Sequence, residues 1–146
     1  RMRFDRMLFS SMMYPADYGF IPETLALDGD PLDVLVLVTE PTFPGCVMEV
    51  KPIGVFHMAD DKGPDEKVIC VPVSDPIWNK LNDLSDMNPH LLKEIEHFFQ
   101  VYKDLENKQV DVEGWGNVDE AREIVAKCSN RFQDIENRPE GLFSIK

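Results

Sequence analysis

The sequence predicts a mainly β domain of the α+β class, a small closed or nearly closed barrel flanked by two α-helices. Several short apolar segments separated by glycine and proline fill the first half of the chain, and this spacing is typical of short strands. Two segments with helical periodicity follow, with a short strand between them. At 146 residues, the chain has the length of one domain with a real core.

The chain opens on residues 1–8, whose side chains alternate between apolar and polar as they do in a strand. Arg6 interrupts the apolar face of this strand. Two interpretations stay open: Arg6 faces the mouth of a barrel, or it lies at a strand end and pairs with Asp5 or with solvent.

Residues 10–22 contain two prolines, a glycine and two tyrosines, which predicts irregular or short extended structure. Tyr14 and Tyr18 can bury their rings while their hydroxyls find a polar partner. A place in the core or at its rim is the ordinary role of such tyrosines.

The segment with the strongest chemical signal is the acidic loop, residues 27–33, which directly precedes the apolar run 34–38. Its carboxylates, Asp28, Asp30 and Asp33, would repel one another, so we expect a cation among them. Carboxylate oxygens suit Mg²⁺ or Mn²⁺ better than zinc or copper. An ordinary turn is the alternative, because aspartate, glycine and proline are common turn formers. An EF-hand is excluded, since the fifth, sixth and twelfth positions hold leucine, aspartate and threonine.

The middle of the chain predicts further strands. Residues 47–50 and 53–58 read as two strand segments separated by Pro52, and residues 68–73 as another. The acidic stretch 60–67 contains a Gly-Pro pair and predicts a hairpin loop, for which a solvated tip is the ordinary explanation.

The first helix is predicted to begin with Asn88 as N-cap and Pro89 in the first helical position. Its apolar stripe consists of Leu91, Leu92, Ile95, Phe98, Phe99 and Tyr102. His97 lies off this stripe and is interpreted as a surface or subunit contact. Lys103 has an ordinary explanation in the helix dipole.

A short strand, residues 110–112, and a turn, residues 113–116, lead to the second helix. Asn117 and Glu120 form a predicted capping box at its start. Its stripe consists of Ala121, Ile124, Val125, Cys128 and Phe132. We expect residues 1–133 to form the single domain and residues 134–146 to be a C-terminal tail.

Fifteen basic and 27 acidic residues give the chain a formal charge of −12. This charge repels nucleic acid and anionic membranes, and also a small anionic substrate unless bound cations invert the local field. Neither a membrane-spanning run nor a secretory signal is found in the sequence. The odd number of widely spaced cysteines, Cys46, Cys70 and Cys128, indicates buried thiols in a reducing compartment, so the cytoplasm is expected.

Several motifs together identify a family. They are Asp5-Arg6, the Tyr-Pro-Ala-Asp-Tyr-Gly of 14–19, the Asp-Gly-Asp-Pro-Leu-Asp-Val of 28–34, Asp60 with Asp65 and Lys67, the His-Phe-Phe of 97–99 with the Tyr-Lys-Asp-Leu-Glu of 102–106, and the Val-Glu-Gly-Trp of 112–115. From Arg3 to about Phe132, the chain resembles the family I soluble inorganic pyrophosphatases.

This resemblance implies an OB-like five-stranded closed barrel flanked by two helices, and hydrolysis of pyrophosphate to two phosphates with several Mg²⁺ ions. It implies Asp30 as the general base. It implies four metal ligands: Asp28, Asp33, Asp60 and Asp65. The implied substrate-binding residues are Arg6, Tyr18, Lys67, Tyr102 and Lys103, with Tyr14 lining the site.

The implied cofactor is Mg²⁺, with Mn²⁺ or Zn²⁺ as substitutes. Ca²⁺ is expected to inhibit, because it is larger and tolerates looser geometry. The expected partners are pyrophosphate, phosphate and other copies of the chain, in a homohexamer or, as the alternative, a dimer. Nucleic acid and membrane are not expected.

One departure from the family pattern lies at the start of the chain, where a glutamate, a lysine and a second glutamate would precede the strand of Arg6. We expect one of two explanations: the chain is truncated here, or this segment is supplied by other means. If the segment is missing, a metal site and a phosphate contact are lost with it. The alternatives are then a catalytically impaired metal-binding relative or an OB-type nucleic-acid-binding module, which the acidic charge disfavours.

Overall fold

A computed structural model describes residues 2–3, 16–61, 63–106 and 111–137. The described strands are β1 (Met2–Arg3), β2 (Ala16–Ile21), β3 (Leu32–Leu37), β4 (Val47–Met48), β5 (Val50–Asp60), β6 (Gly63–Pro64), β7 (Lys67–Pro72) and β8 (Asp111–Gly116). The described helices are α1 (Pro89–Glu106), α2 (Val118–Glu136) and a 3-10 turn (Leu84–Asp86).

The described strands form one sheet in the order β4-β1-β2-β3-β7-β5-β6, with β8 also paired to β5. β3 and β7 are parallel, whereas β2 with β3 and β5 with β7 are antiparallel. The predicted mainly β architecture with two helices is confirmed. A closed barrel is not confirmed, because the hydrogen-bonded ladder of the described strands does not close on itself.

Both faces of the central strands are buried. Leu35 and Leu37 of β3 belong to the core cluster that contains Phe98 of α1. Val34 and Val36 belong to the opposite cluster, which includes residues of α2. The period of two along β3 therefore sends neighbouring side chains to different helices.

Three predictions for the strands were incomplete or wrong. For residues 10–22 the prediction was irregular or short extended structure, and residues 16–21 form a regular strand, which is the extended alternative. Pro52 does not divide two strands, because β5 continues through it with a shift of register between Pro52 and Gly54. The turn predicted at residues 113–116 instead forms the last four residues of β8, where Gly114 has a φ of 114°.

The predicted helix starts are confirmed. The side chain of Asn88 accepts the backbone N–H of His90 at 2.9 Å. Asn117 and Glu120 form the predicted capping box. The second helix continues to Glu136 with Asn137 as its C-cap, so the first residues of the predicted tail belong to the helix and its cap, and residues 138–146 lie outside the described residues. Among the described residues, neither helix is long and apolar enough to cross a membrane.

Candidate active site

A charged cluster lies where β3 and β7 run side by side. The parallel register pairs Asp33 of β3 with Lys67 of β7. The amine of Lys67 donates to Asp33 Oδ2 at 2.7 Å and to Asp65 Oδ1 at 2.9 Å. Because the two oxygens contact one nitrogen, the carboxylates of Asp33 and Asp65 are brought together. We call these three residues the Lys67 cluster.

The strand period explains why the cluster faces α1. Asp33 lies between Leu32 and Val34, which pack on the α2 side of the sheet, so its side chain is on the other face. Asp65 is held at the end of the hairpin loop, where its N–H donates to the carbonyl of Met58 at 2.8 Å. The hairpin and the parallel pair thus bring together two aspartates that are 32 positions apart in the sequence.

Two aromatic rings surround the amine of Lys67. The hydroxyl of Tyr18 accepts a hydrogen bond from this amine at 3.3 Å, and the Tyr18 ring centroid is 5.2 Å from it. The ring centroid of Phe99 on α1 is 5.9 Å away. These rings shield the cluster from water on one side and contribute cation–π attraction.

Lys67 is only 5% exposed, yet its neighbours keep it charged. Burial alone would lower the pKa of Lys67, but Tyr18, Asp33 and Asp65 outweigh this effect and raise the pKa above its ordinary range. Burial raises the pKa of Tyr18 against the opposing effect of Lys67, so the hydroxyl stays protonated at neutral pH.

Within the described residues of the Lys67 cluster, two carboxylates share one ammonium group. Burial raises the pKa of Asp65; Lys67 opposes this, while Asp33 and Asp60 add to it. Asp60, at the end of β5, is therefore close enough to Asp65 to act on it electrostatically. Among the described residues, the carboxylates of Asp33 and Asp65 contact the one ammonium group of Lys67, so further positive charge would be stabilised between them.

The acidic loop lies in the connection from β2 to β3. Asp28 accepts the backbone N–H of Asp30 at 3.0 Å, and the intervening Gly29 has a φ of 90°, where glycine is favoured. The side chain of Asp30 is exposed, whereas Asp28 is half-buried. The loop therefore presents one carboxylate to solvent and uses the other to shape its backbone.

The aspartate side chains of the site suit a hard divalent ion, because a carboxylate supplies only oxygen ligands. In the part of the chain that the structure describes, no group of three or more Asp, Glu, His or Cys side chains is arranged to hold a metal ion. Mg²⁺ commonly keeps several waters and takes one or two carboxylates, so the pair of Asp33 and Asp65 is compatible with it.

The predicted site residues are only partly described. The structure brings together Tyr18, Asp33, Asp65 and Lys67, with Asp60 near them. Asp28 and Asp30 lie in the adjoining loop. The remaining predicted site residues fall outside the described residues or side chains: Arg6, Tyr14, Tyr102 and Lys103.

Sequence reasoning missed two residues that shape the site. Phe99 was placed in the apolar stripe of α1 and in a family motif but was given no role in the site, because helical periodicity does not reveal which core residue borders a charge. Thr24 is 4% exposed and was not singled out; its hydroxyl accepts the N–H of Leu32 at 3.0 Å and fixes the base of the acidic loop. A threonine just before an Asp-Gly turn is a weak signal by itself.

Comparison with known proteins places these residues in a family. The family model described as "Inorganic pyrophosphatase" matches residues 1–133. An inorganic pyrophosphatase of Methanosarcina mazei is 56% identical over 133 residues, which are 91% of this chain and 79% of the relative. One from Methanosarcina acetivorans is 59% identical over 131 residues, covering 90% of this chain and 78% of the relative.

Solved structures show the same similarity in three dimensions. The inorganic pyrophosphatase of Thermus thermophilus matches with a TM-score of 0.80 and 46% identity, covering 88% of this chain and 76% of that one. The enzyme of Helicobacter pylori matches with a TM-score of 0.79 and 41% identity, over 88% of this chain and 78% of that one.

Proposed function

Since the chain belongs to the family of inorganic pyrophosphatases and hydrolyses inorganic pyrophosphate to two phosphates, we propose that Asp30 is the general base of this reaction and that four aspartates hold divalent metal ions. The proposed metal ligands are Asp28, Asp33, Asp60 and Asp65. The observation that carries the proposal is the convergence of Asp33 and Asp65 on the amine of Lys67.

Charge balance supports the need for bound cations. The chain has a formal charge of −12, and its substrate is a small polyanion, so the two repel each other at long range. Bound divalent ions, with Mg²⁺ as the proposed cofactor and Mn²⁺ or Zn²⁺ as substitutes, would neutralise phosphate oxygens and lower the pKa of the attacking water.

Asp30 is proposed as the base because it combines exposure with a fixed backbone. Its carboxylate is accessible to a substrate from solvent, and its N–H is held by Asp28 at 3.0 Å. In the proposed step, water oxygen attacks one phosphorus, its proton passes to the Asp30 carboxylate, and the bridging P–O bond breaks. The second phosphate leaves with the bridging oxygen.

The proposed phosphate-binding side chains are Arg6, Tyr18, Lys67, Tyr102 and Lys103, with Tyr14 lining the site. An arginine offers phosphate a planar fork, and a lysine offers a point charge. For Lys67 the geometry favours a second role, because its amine already donates to two aspartates and to Tyr18. We propose that it mainly fixes these carboxylates.

We further propose a single domain over residues 1–133, a cytoplasmic location and a homohexamer, with a dimer as the alternative. All three cysteines of the chain are free thiols, as a reducing compartment requires. Light scattering on the purified protein would distinguish six subunits from two.

An Asp30→Asn variant tests the general base. We expect its kcat for phosphate release with saturating Mg²⁺ to fall roughly 10²- to 10⁴-fold, because the amide cannot accept the proton. Asp61→Asn is the matched control, since Asp61 is an exposed aspartate of a different loop, and it should keep the parent rate. A rate for Asp30→Asn equal to that of the parent would refute the assignment.

A further inference from the structure

We infer that Arg131 of α2 is a positioning residue for catalysis, because it holds the acidic loop in place from the opposite side of the sheet. The inference rests on the proposed roles of Asp28 and Asp30, which this loop carries. Arg131 Nη1 donates to the carbonyl of Leu25 at 2.6 Å. The N–H of Leu25 donates to the carbonyl of Cys128, one helical turn earlier, at 3.0 Å.

The loop is braced internally, so a displacement at Leu25 is carried to its tip. The N–H of Ala26 donates to the carbonyl of Asp30 at 2.8 Å, and the N–H of Gly29 donates to the carbonyl of Ala26 at 3.1 Å. Asp28 closes the tip through the N–H of Asp30. Together these bonds tie the aspartates to the backbone segment that α2 holds.

Packing alone does not set the distance between the loop and the helix. A pocket of about 210 Å³, partly open to solvent, lies between them, and its lining includes Leu27, Leu32, Ile124 and Cys128. Leu27 is 62% exposed and fills little of the space. Where apolar contact is incomplete, the charge-assisted hydrogen bond from Arg131 contributes more to fixing the position of the loop relative to α2.

Arg131 is half-buried at this position, and its guanidinium lies 3.9 Å from the sulfur of Cys128. Burial raises the pKa of the Cys128 thiol against the opposing effect of Arg131, while Glu66 and Asp28 add to it. Asp28 is thus within electrostatic reach of the part of α2 that holds the loop. Hydrogen bonds from α2 to Leu25 thus connect the helix to the segment that carries the acidic loop.

Three variants test the inference. Arg131→Met removes the donor and keeps an apolar stem, Arg131→Lys keeps a charged donor, and Arg122→Met removes an exposed arginine from the same helix as a control. We expect Arg131→Met to lower kcat roughly tenfold to a hundredfold, because small displacements of catalytic groups have effects of this size. Its KM for pyrophosphate should change little. Arg131→Lys should lie between Arg131→Met and the parent, and Arg122→Met should match the parent.

A second measurement, the effect of Mg²⁺ on the melting temperature, does not depend on catalysis. Mg²⁺ raises the melting temperature of a protein that binds it in the folded state. We expect Arg131→Met to need several-fold more Mg²⁺ than the parent for the same rise, because Asp28 is displaced. A folded Arg131→Met protein with parental kcat and parental Mg²⁺ response would overturn the inference. A variant that only melts at a lower temperature would also overturn it, since the role of Arg131 would then be structural.

The comparison with Asp28→Asn separates the two proposals. If Arg131 acts through Asp28, combining Arg131→Met with Asp28→Asn should weaken the Mg²⁺ response no more than Asp28→Asn alone. If Asp28→Asn and Asp30→Asn both behave as the parent, the proposed function fails. If they impair the enzyme and Arg131→Met does not, the positioning role alone fails.

Discussion

Lys67 illustrates how a single buried cation organises a site of opposite charge. Its amine contacts Asp33, Asp65 and Tyr18, and its side chain is 6% exposed, whereas those of Asp33 and Asp65 are 22% and 20% exposed. A buried ion pair contributes little to stability as a whole, but removal of one partner leaves a charge without compensation. Lys67 therefore keeps two carboxylates close before any metal ion arrives.

A Lys67→Met variant tests this role. We expect the free energy of unfolding without metal to fall by about 3 kcal/mol, because Asp33 and Asp65 then repel each other without a shared cation. Excess Mg²⁺ should restore part of the loss, since divalent ions replace the missing charge. Urea denaturation with and without Mg²⁺ measures both effects.

Lys93→Met provides the control for this comparison, because Lys93 is exposed on α1. It should unfold like the parent in both conditions. If Lys67→Met loses no stability without metal, the two aspartates do not depend on the ammonium group for compensation.

At the scale of elements, α2 connects several parts of the molecule. Its first turn is capped by Asn117 and Glu120, and the carboxylate of Glu120 lies 3.4 Å from His57 on β5. The other ring nitrogen of His57 lies 2.9 Å from Glu66, next to the Lys67 cluster. Near its other end, α2 binds Leu25, two residues before the acidic loop, through Arg131. One helix thus contacts both segments that supply the proposed metal ligands.

An Asn117→Ala variant tests the cap. The Asn117 side chain accepts the N–H of Glu120 at 3.0 Å, so we expect a loss of about 1 kcal/mol in the free energy of unfolding. Asn130→Ala, an exposed site within the same helix, should be neutral or slightly stabilising because alanine favours helix. Equal effects of the two changes in urea denaturation would contradict the capping role.

At the scale of the whole molecule, the proposed role of bound cations in this acidic chain predicts that the rate depends on the kind of cation that is bound. Ca²⁺ is larger than Mg²⁺ and accepts six to eight ligands in flexible geometry. With Ca²⁺ alone we expect phosphate release to fall roughly tenfold or more, because the reacting groups would be misaligned. Adding Ca²⁺ to the Mg²⁺-loaded enzyme should inhibit it.

The measurement is phosphate release with each ion alone and with mixtures, at constant ionic strength so that screening is the same. Mn²⁺ is the control for a substitute ion, because it prefers oxygen ligands as Mg²⁺ does. Equal rates with Ca²⁺ and Mg²⁺ would show that the reaction does not depend on ion geometry.

The features that depend on neighbours in the sequence could be predicted from the chain itself. The caps at Asn88 and Asn117 were predicted correctly, because capping is a contact between residues two or three positions apart. The loop predicted for residues 27–33 is confirmed for residues 27–31, where Gly29 and the aspartates determine it, but Leu32 and Asp33 already belong to β3 because their pairing with β2 extends the strand. Family resemblance then supplied roles for the aspartates that spacing alone left open.

Tertiary structure decided the contacts between distant residues. Asp33 meets Lys67 across 34 positions and Leu25 meets Arg131 across 106, and neither separation leaves a periodic signal. The parallel pairing of β3 with β7 produces the first contact, and the packing of α2 against the sheet produces the second. Pairing with β5 also decided that β8 continues through Gly114. A shift of register between His57 and Met58 of β5 accommodates this glycine. Local chemistry determines turns and caps, whereas strand partners and helix docking depend on the free energy of the whole packed chain.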